Sequence, residues 1–236
     1  MKRYCIANLI VDIDATCERL EKQGKQYESD AVGEADVTVT LTEERLTEIH
    51  KKYPYLSRDD VAYLVTGSLF HRKLTLFDGL MLHSSCIEMD GRAYCFSADS
   101  GTGKSTHTSL WKKVFGDRVT YVNDDKPVVR KIDGKYFAFG TPWSGKTDLN
   151  NNICAPLCAI VFIERAEQNS IEPMDLVKDH VAVRFLEQTV RPKNFEFMDS
   201  MLKTADDMLS KTPIFRLRCN MEDNAALTSY ECLKDC

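Results

Sequence analysis

Ala98, Asp99, Ser100, Gly101, Thr102, Gly103, Lys104, Ser105 and Thr106 run consecutively and form a Walker A pattern with alanine at its first position. Two glycines in such a run let the backbone turn tightly, so that successive amides point at phosphate oxygens. Lys104 is placed to put a point charge on the β and γ phosphates, and the Ser105 hydroxyl suits a Mg²⁺ ligand. Twenty residues beyond Lys104 stand Asn123, Asp124 and Asp125, at the end of an apolar run. A carboxylate there is in the expected place to hold the metal. A second one beside it allows a division of labour, one on the metal and one on an acceptor hydroxyl. Adjacent residues of a strand face opposite ways, so both serve one site only if the strand breaks at this point, and Pro127 favours that break.

Other candidates are less specific. His83 is the only ionisable group of its strand near the loop; it reads either as a structural histidine or as a proton carrier. Gly140 to Lys146 places glycines on both sides of Pro142, Trp143 and Ser144. That stretch reads either as a flap, with Trp143 on the substrate and Lys146 neutralising charge, or as a surface turn with a half-buried tryptophan. Arg184 and Arg191 are candidate cations for the transferring phosphoryl group, or simply residues of a helix surface. Cys154/Cys158 and Cys232/Cys236 do not make a convincing zinc site, because structural zinc needs four convergent ligands.

The elements that must position these groups follow from pattern. Residues 4–13 read as one strand and 37–41 as another, the latter alternating with period two. Thr42 caps a helix to about Lys52, and Ser57 opens a capping box for a helix through Phe70. Asp90-Gly91 joins runs 81–89 and 92–97 as a hairpin, and Asp133-Gly134 joins 127–132 to 135–139. Strand 92–97 enters the glycine-rich loop and a helix over 106–114 leaves it, so the positive end of the helix faces the same phosphates. Strands over 119–123, 157–163 and 214–217 and helices over the second half complete the chain; the last, over 223–233, follows one with an apolar face at 197/198, 201/202, 205 and 208/209. Hairpins mixed with helices predict an α/β fold with a mixed sheet. Residues 1–75 form a small N-terminal α/β region and 76–236 the core carrying the site.

The chain has 236 residues, 31 Lys+Arg against 36 Asp+Glu, and a net charge of −5. An acidic protein without a basic block is not built to bind nucleic acid. The longest apolar stretch, residues 155–163, is about half of what a membrane span needs. Nine cysteines and no signal-peptide pattern predict free thiols in the cytoplasm. A homo-oligomer is compatible with all of this.

The loop from Ser100 to Thr106, entered from a hairpin that carries Leu82, His83, Ser84 and Ser85 and followed by Asn123, Asp124 and Asp125, resembles the kinase core of HPr kinase/phosphorylase and of ATP-dependent phosphoenolpyruvate carboxykinase. The resemblance covers about residues 79–173. It implies the corresponding mixed-sheet fold, with His83 and Asp124 beside the acceptor and Asp125 on the metal. HPr kinases carry an Arg-Gly-hydrophobic-Gly signature after the acidic pair. Here Gly140 to Lys146 has no arginine, so the acceptor loop is rewritten. The chain is also similar to small HPr-kinase-like proteins that accompany peptide-modification gene clusters, some of which phosphorylate serine. The expectation is an ATP:Mg²⁺-dependent kinase, with ATP or another nucleoside triphosphate as donor and a hydroxyl of a peptide, protein or small molecule as acceptor. A nucleotide-binding scaffold without turnover and a plain ATPase carry the same loop.

Overall fold

A computed structural model describes residues 1–145 and 147–236. The first strand expected from the sequence is a hairpin: β1 (Lys2–Ile6) and β2 (Leu9–Asp14) are joined at Ala7 and Asn8, with φ of 54° and 57°. A tight turn of this kind normally announces itself by glycine, and Ala7 hides it. After α1 (Glu18–Gly24), β3 (Val37–Thr40) pairs parallel to β2 and completes a three-stranded sheet. α2 (Glu43–Lys52) and α3 (Arg58–Leu74) begin at the expected caps: Thr42 Oγ1 accepts from the Arg45 amide and Ser57 Oγ from the Asp60 amide.

The larger sheet has nine strands. β4 (Gly79–Met81) and β5 (Ser84–Met89) divide at Leu82 and His83, where one strand was expected. The Leu82 amide turns aside to the Pro127 carbonyl, and the His83 amide to that of Gln188. β5 pairs antiparallel with β6 (Arg92–Ser97) across the Asp90-Gly91 turn, which fixes Ser84 opposite Ser97. α4 (Lys104–Phe115) follows, then β7 (Val119–Asp125) and the hairpin of β8 (Val128–Ile132) and β9 (Lys135–Phe139). The long β10 (Cys154–Arg165) is the hinge of the sheet. Its start pairs antiparallel with β9, its middle parallel with β6, and its end parallel with β12 (Ile214–Cys219). β11 (Ser170–Pro173), short, mostly exposed and without an apolar run, left no mark in the sequence pattern. Helices α5 (Val181–Glu187), α6 (Phe195–Lys211) and α7 (Asp223–Leu233) complete the chain.

The fold is therefore mixed α/β. α4 and α7 bury Trp111, Ala225 and Leu233 against one face of the sheet. α5 and α6 bury Phe185, Met201 and Met208 against the other. Each large side chain so buried contributes roughly 1.5–3 kcal/mol. The N-terminal layer and α3 form a third cluster with Met81, Val128, Phe139 and Trp143. Among the described residues no helix is long and apolar enough to cross a membrane.

Candidate functional site

The order β10-β6-β5-β7 sets the site. β5 runs antiparallel to both neighbours, so its start lies at the same end of the sheet as the ends of β6 and β7. That end therefore gathers His83 just before β5, the glycine-rich loop leaving β6, and Asp124 and Asp125 closing β7. With strands about 4.8 Å apart, the three groups span roughly 10 Å. α4 is anchored over this end by Thr108 Oγ1, 2.7 Å from Ser85 Oγ.

Within the loop Gly101 has φ of 79° and Gly103 of 129°, and open space lies where a Cβ would stand at either. A side chain is thus excluded by conformation, and the backbone is left accessible. Asp99, Ser100, Gly101, Ser105 and Thr106 are exposed, whereas Lys104 is 8% exposed. Lys104 Nζ donates to the carbonyls of Ala98 (2.8 Å) and Asp99 (3.4 Å). Burial pushes its pKa down, and Asp125, Asp124 and Asp99 push it back up. Arg165, at the end of β10, donates to the Gly101 and Thr102 carbonyls from outside the loop.

The two aspartates divide differently from what the resemblance implies. Asp124, not Asp125, meets the loop hydroxyl: its Oδ1 accepts from Ser105 Oγ at 2.8 Å and its Oδ2 from Thr147 Oγ1 at 2.9 Å. Asp125 lies 3.2 Å from His83 Nε2 and pairs with Lys126. Burial pushes the Asp125 carboxyl up, but the hydrogen bond from His83 and the charge of Lys126 outweigh it and hold the group well below the usual carboxylate range. Its φ of 131° marks the break that lets consecutive side chains serve one end of the sheet. The fully buried Asn123 holds that break, its Oδ1 accepting from the Lys126 amide at 2.8 Å.

Trp143 lies in the core rather than on the surface. It is 1% exposed, stacked on Phe70 with centroids 5.1 Å apart, and its Nε1 donates to Thr66 Oγ1 at 3.3 Å. Asn123 Nδ2 donates to the carbonyls of Thr141 and Trp143, both at 3.0 Å, so the stretch is clamped beneath the acidic pair. Lys146, the cation expected there, lies outside the described residues. Arg191 is exposed in the connection between α5 and α6 rather than on a helix. Arg184 donates to Glu164 Oε1 at 2.8 Å, near the loop. Gln188, which sequence reasoning missed, joins two parts of the site: Nε2 donates to Asp99 Oδ1 and Oε1 lies against His83 Nδ1, each at 3.0 Å.

The model of the family described as "SynChlorMet cassette protein ScmC" matches residues 59–226. The chain belongs to the ScmC family. The matched span contains every site residue discussed above and leaves out the three-stranded N-terminal sheet. No curated protein matches the sequence. Among solved structures, the HPr(Ser) kinase/phosphatase from Coxiella burnetii aligns over 66% of this chain and 88% of its own, at 9% identity and a TM-score of 0.38.

Among the described residues no three His, Cys, Asp or Glu side chains converge on a metal position. Mg²⁺ that takes most of its ligands from water and phosphate needs only one or two protein oxygens. The Ser105 hydroxyl and Asp124 carboxylate, 2.8 Å apart, fit that demand.

Proposed function

We propose that the protein is an ATP:Mg²⁺-dependent phosphotransferase acting on a hydroxyl acceptor, a serine of a peptide or protein or a small molecule. The observation that carries this reading is the meeting of Ser105 and Asp124 beside Lys104, with the Asp125–His83 pair next to them.

In this reading the amides of Gly101, Gly103 and Lys104 hold the phosphates, Lys104 Nζ leaves its loop carbonyls for them, and Ser105 and Asp124 hold Mg²⁺. Asp99, Ser100, Thr102 and Thr106 complete the loop. Mg²⁺ held there would supply positive charge against the phosphates. The acceptor oxygen attacks the γ phosphorus as the bond to the β-phosphate oxygen breaks, and the acceptor proton passes to Asp125. A weakly basic carboxylate serves, because the transition state is loose and most of the catalysis is positioning and charge stabilisation. His83, held by Gln188 on one nitrogen, orients Asp125 from the other.

Thermal denaturation with ATP, GTP, ADP and pyrophosphate, each with and without Mg²⁺, tests the donor. A ligand at a hundred times its Kd adds about 2.7 kcal/mol of stability. The expected result is a Mg²⁺-dependent rise in Tm with a nucleoside triphosphate. The absence of a shift with all four overturns the reading: the loop is then vestigial or waits for a partner. Turnover in the absence of any acceptor identifies a plain ATPase.

A further inference from the structure

Two cavities flank the glycine-rich loop, and their linings differ. One, of about 410 Å³, is lined by Asp99, Glu164, Arg184, Glu187 and Gln188. It is a charged cavity, and Gln188 connects it to His83. The other, of about 360 Å³, lies between the first turn of α4 and the ends of β10 and β12. Thr106, His107, Ile163, Ala166, Cys219 and Met221 line it. Three observations on this second cavity point to an uncharged ring as its occupant.

Its walls are mostly apolar: Ile163, Ala166, Cys219 and Met221 stand beside Arg165, which reaches both cavities, and Asn220. Ile163 and Cys219 are buried, while Met221 is 79% exposed, an apolar side chain left uncovered at the mouth. Methionine is a flexible, polarisable side chain suited to packing on a flat ring. His107, 2% exposed, contributes a buried polar edge. Its Nε2 is 3.0 Å from Ser229 Oγ and 3.1 Å from Trp111 Nε1, whereas its Nδ1 has no partner among the described residues. Burial pushes the His107 pKa down to about 3, so the ring is neutral and suits an uncharged partner rather than a phosphate.

Direction supplies the third observation. Ser105 Oγ meets Asp124, the neighbour of Asp125, so the transferred end of a triphosphate lies on that side of the loop. Thr106 and His107, the next residues of α4, belong to the apolar cavity. We infer that this cavity is the base subsite of the donor nucleotide, holding the ring between Ile163, Cys219 and Met221. The inference rests on the phosphotransferase reading and adds to it a location for the donor's nucleoside, leaving the charged cavity to the acceptor side.

The test compares Mg-ATP with Mg-tripolyphosphate by calorimetric titration of the full chain. The two ligands share the phosphates and differ by the nucleoside. ATP is expected to bind at least about tenfold more tightly, as burying one apolar ring face predicts. Met221→Asp, at an exposed position, and Ala166→Phe, which fills the cavity, are each expected to remove most of that difference and to leave tripolyphosphate affinity within about twofold. Circular dichroism and Tm establish that both variants fold. Equal affinity of the wild type for both ligands, or equal weakening of both ligands by the variants, overturns the base subsite while the phosphate reading stands. Failure of the wild type to bind either ligand overturns both.

Discussion

Residues 98–105 and 140–145 both place two glycines around side chains that invite a functional reading, and the fold uses them in opposite ways. In the first stretch the glycines take positive φ and leave the backbone open, with Ser105 exposed and Lys104 turned in among carbonyls. In the second, Trp143 is sealed against α3 and Thr141 and Trp143 give their carbonyls to Asn123. The first is the shape of a ligand cradle. The second is a strap that fixes the floor under Asp124 and Asp125. Glycine next to a reactive or aromatic residue is therefore ambiguous until one knows what faces it across the fold.

The sharpest way to break this contrast is a pair of substitutions. Lys104→Ala is expected to lower phosphoryl transfer by about 10²–10³-fold or more, as loss of a positioned cation does, with little change in Tm. Trp143→Ala removes a buried aromatic side chain and is expected to cost about 3–5 kcal/mol of stability in a urea titration. If Trp143→Ala instead left stability intact and raised KM for the acceptor, the strap would be a flap after all.

The two aspartates refine the contrast inside the site. Asp124→Asn is expected to abolish the Mg²⁺ dependence of nucleotide binding, because Asp124 is the carboxylate on Ser105. Asp125→Asn is expected to leave Mg²⁺-dependent binding in place and to lower turnover by about 10²-fold, within the range for loss of a general base. Thermal shifts with and without Mg²⁺, set beside single-turnover transfer, separate the two. The reverse pattern would restore the assignment that the resemblance implies.

What could be read in advance was local. The caps at Thr42 and Ser57, the turn at Asp90-Gly91 and the glycine-rich loop each depend on residues within a few positions of one another. The α/β class and the mixed sheet followed from them. What could not be read depends on distant pairs. Gln188 reaches His83 across 105 residues and Asp99 across 89, and a glutamine after a helix carries no signal of either. The burial of Trp143 is decided by Phe70 and Thr66 on α3, and the division between Asp124 and Asp125 by one backbone angle at the end of β7. The hairpin at Ala7-Asn8 escaped because its turn uses no glycine.

A smaller effect tests how closely the strap is fitted. A Cβ at Gly67, in α3, would stand 2.9 Å from Trp143 Cδ1, closer than van der Waals contact allows. Gly67→Ala improves helix propensity by about 1 kcal/mol. The overpacking it causes costs about 1–3 kcal/mol, so a net loss of up to about 2 kcal/mol is expected. A gain in stability would show that the indole moves freely and that the strap is looser than its packing indicates.

The smallest effect per unit change is that of pH, and one histidine from each region carries it. His71 packs edge-on to Trp143 at 5.6 Å, and His107 belongs to the first turn of α4. Burial pushes both down to about 3, with the charge of Lys126 adding to the effect at His71. In the unfolded chain each titrates near 6.5, so between about pH 6.5 and 3 the unfolded state binds more protons than the native one. Stability is therefore full above about pH 6.5 and falls as pH drops below it, by up to about 1.4 kcal/mol per histidine per pH unit. Asp125, whose carboxyl is depressed in the native state, adds to the loss only as pH falls through the ordinary carboxylate range near 4 and below. The window from pH 6 to 5 thus isolates the histidines. Urea titrations there on His71→Asn and the wild type are expected to show about half the wild-type slope in the variant. An unchanged slope would mean that His71 takes up its proton in the folded protein, and that the strap behind the acidic pair admits water.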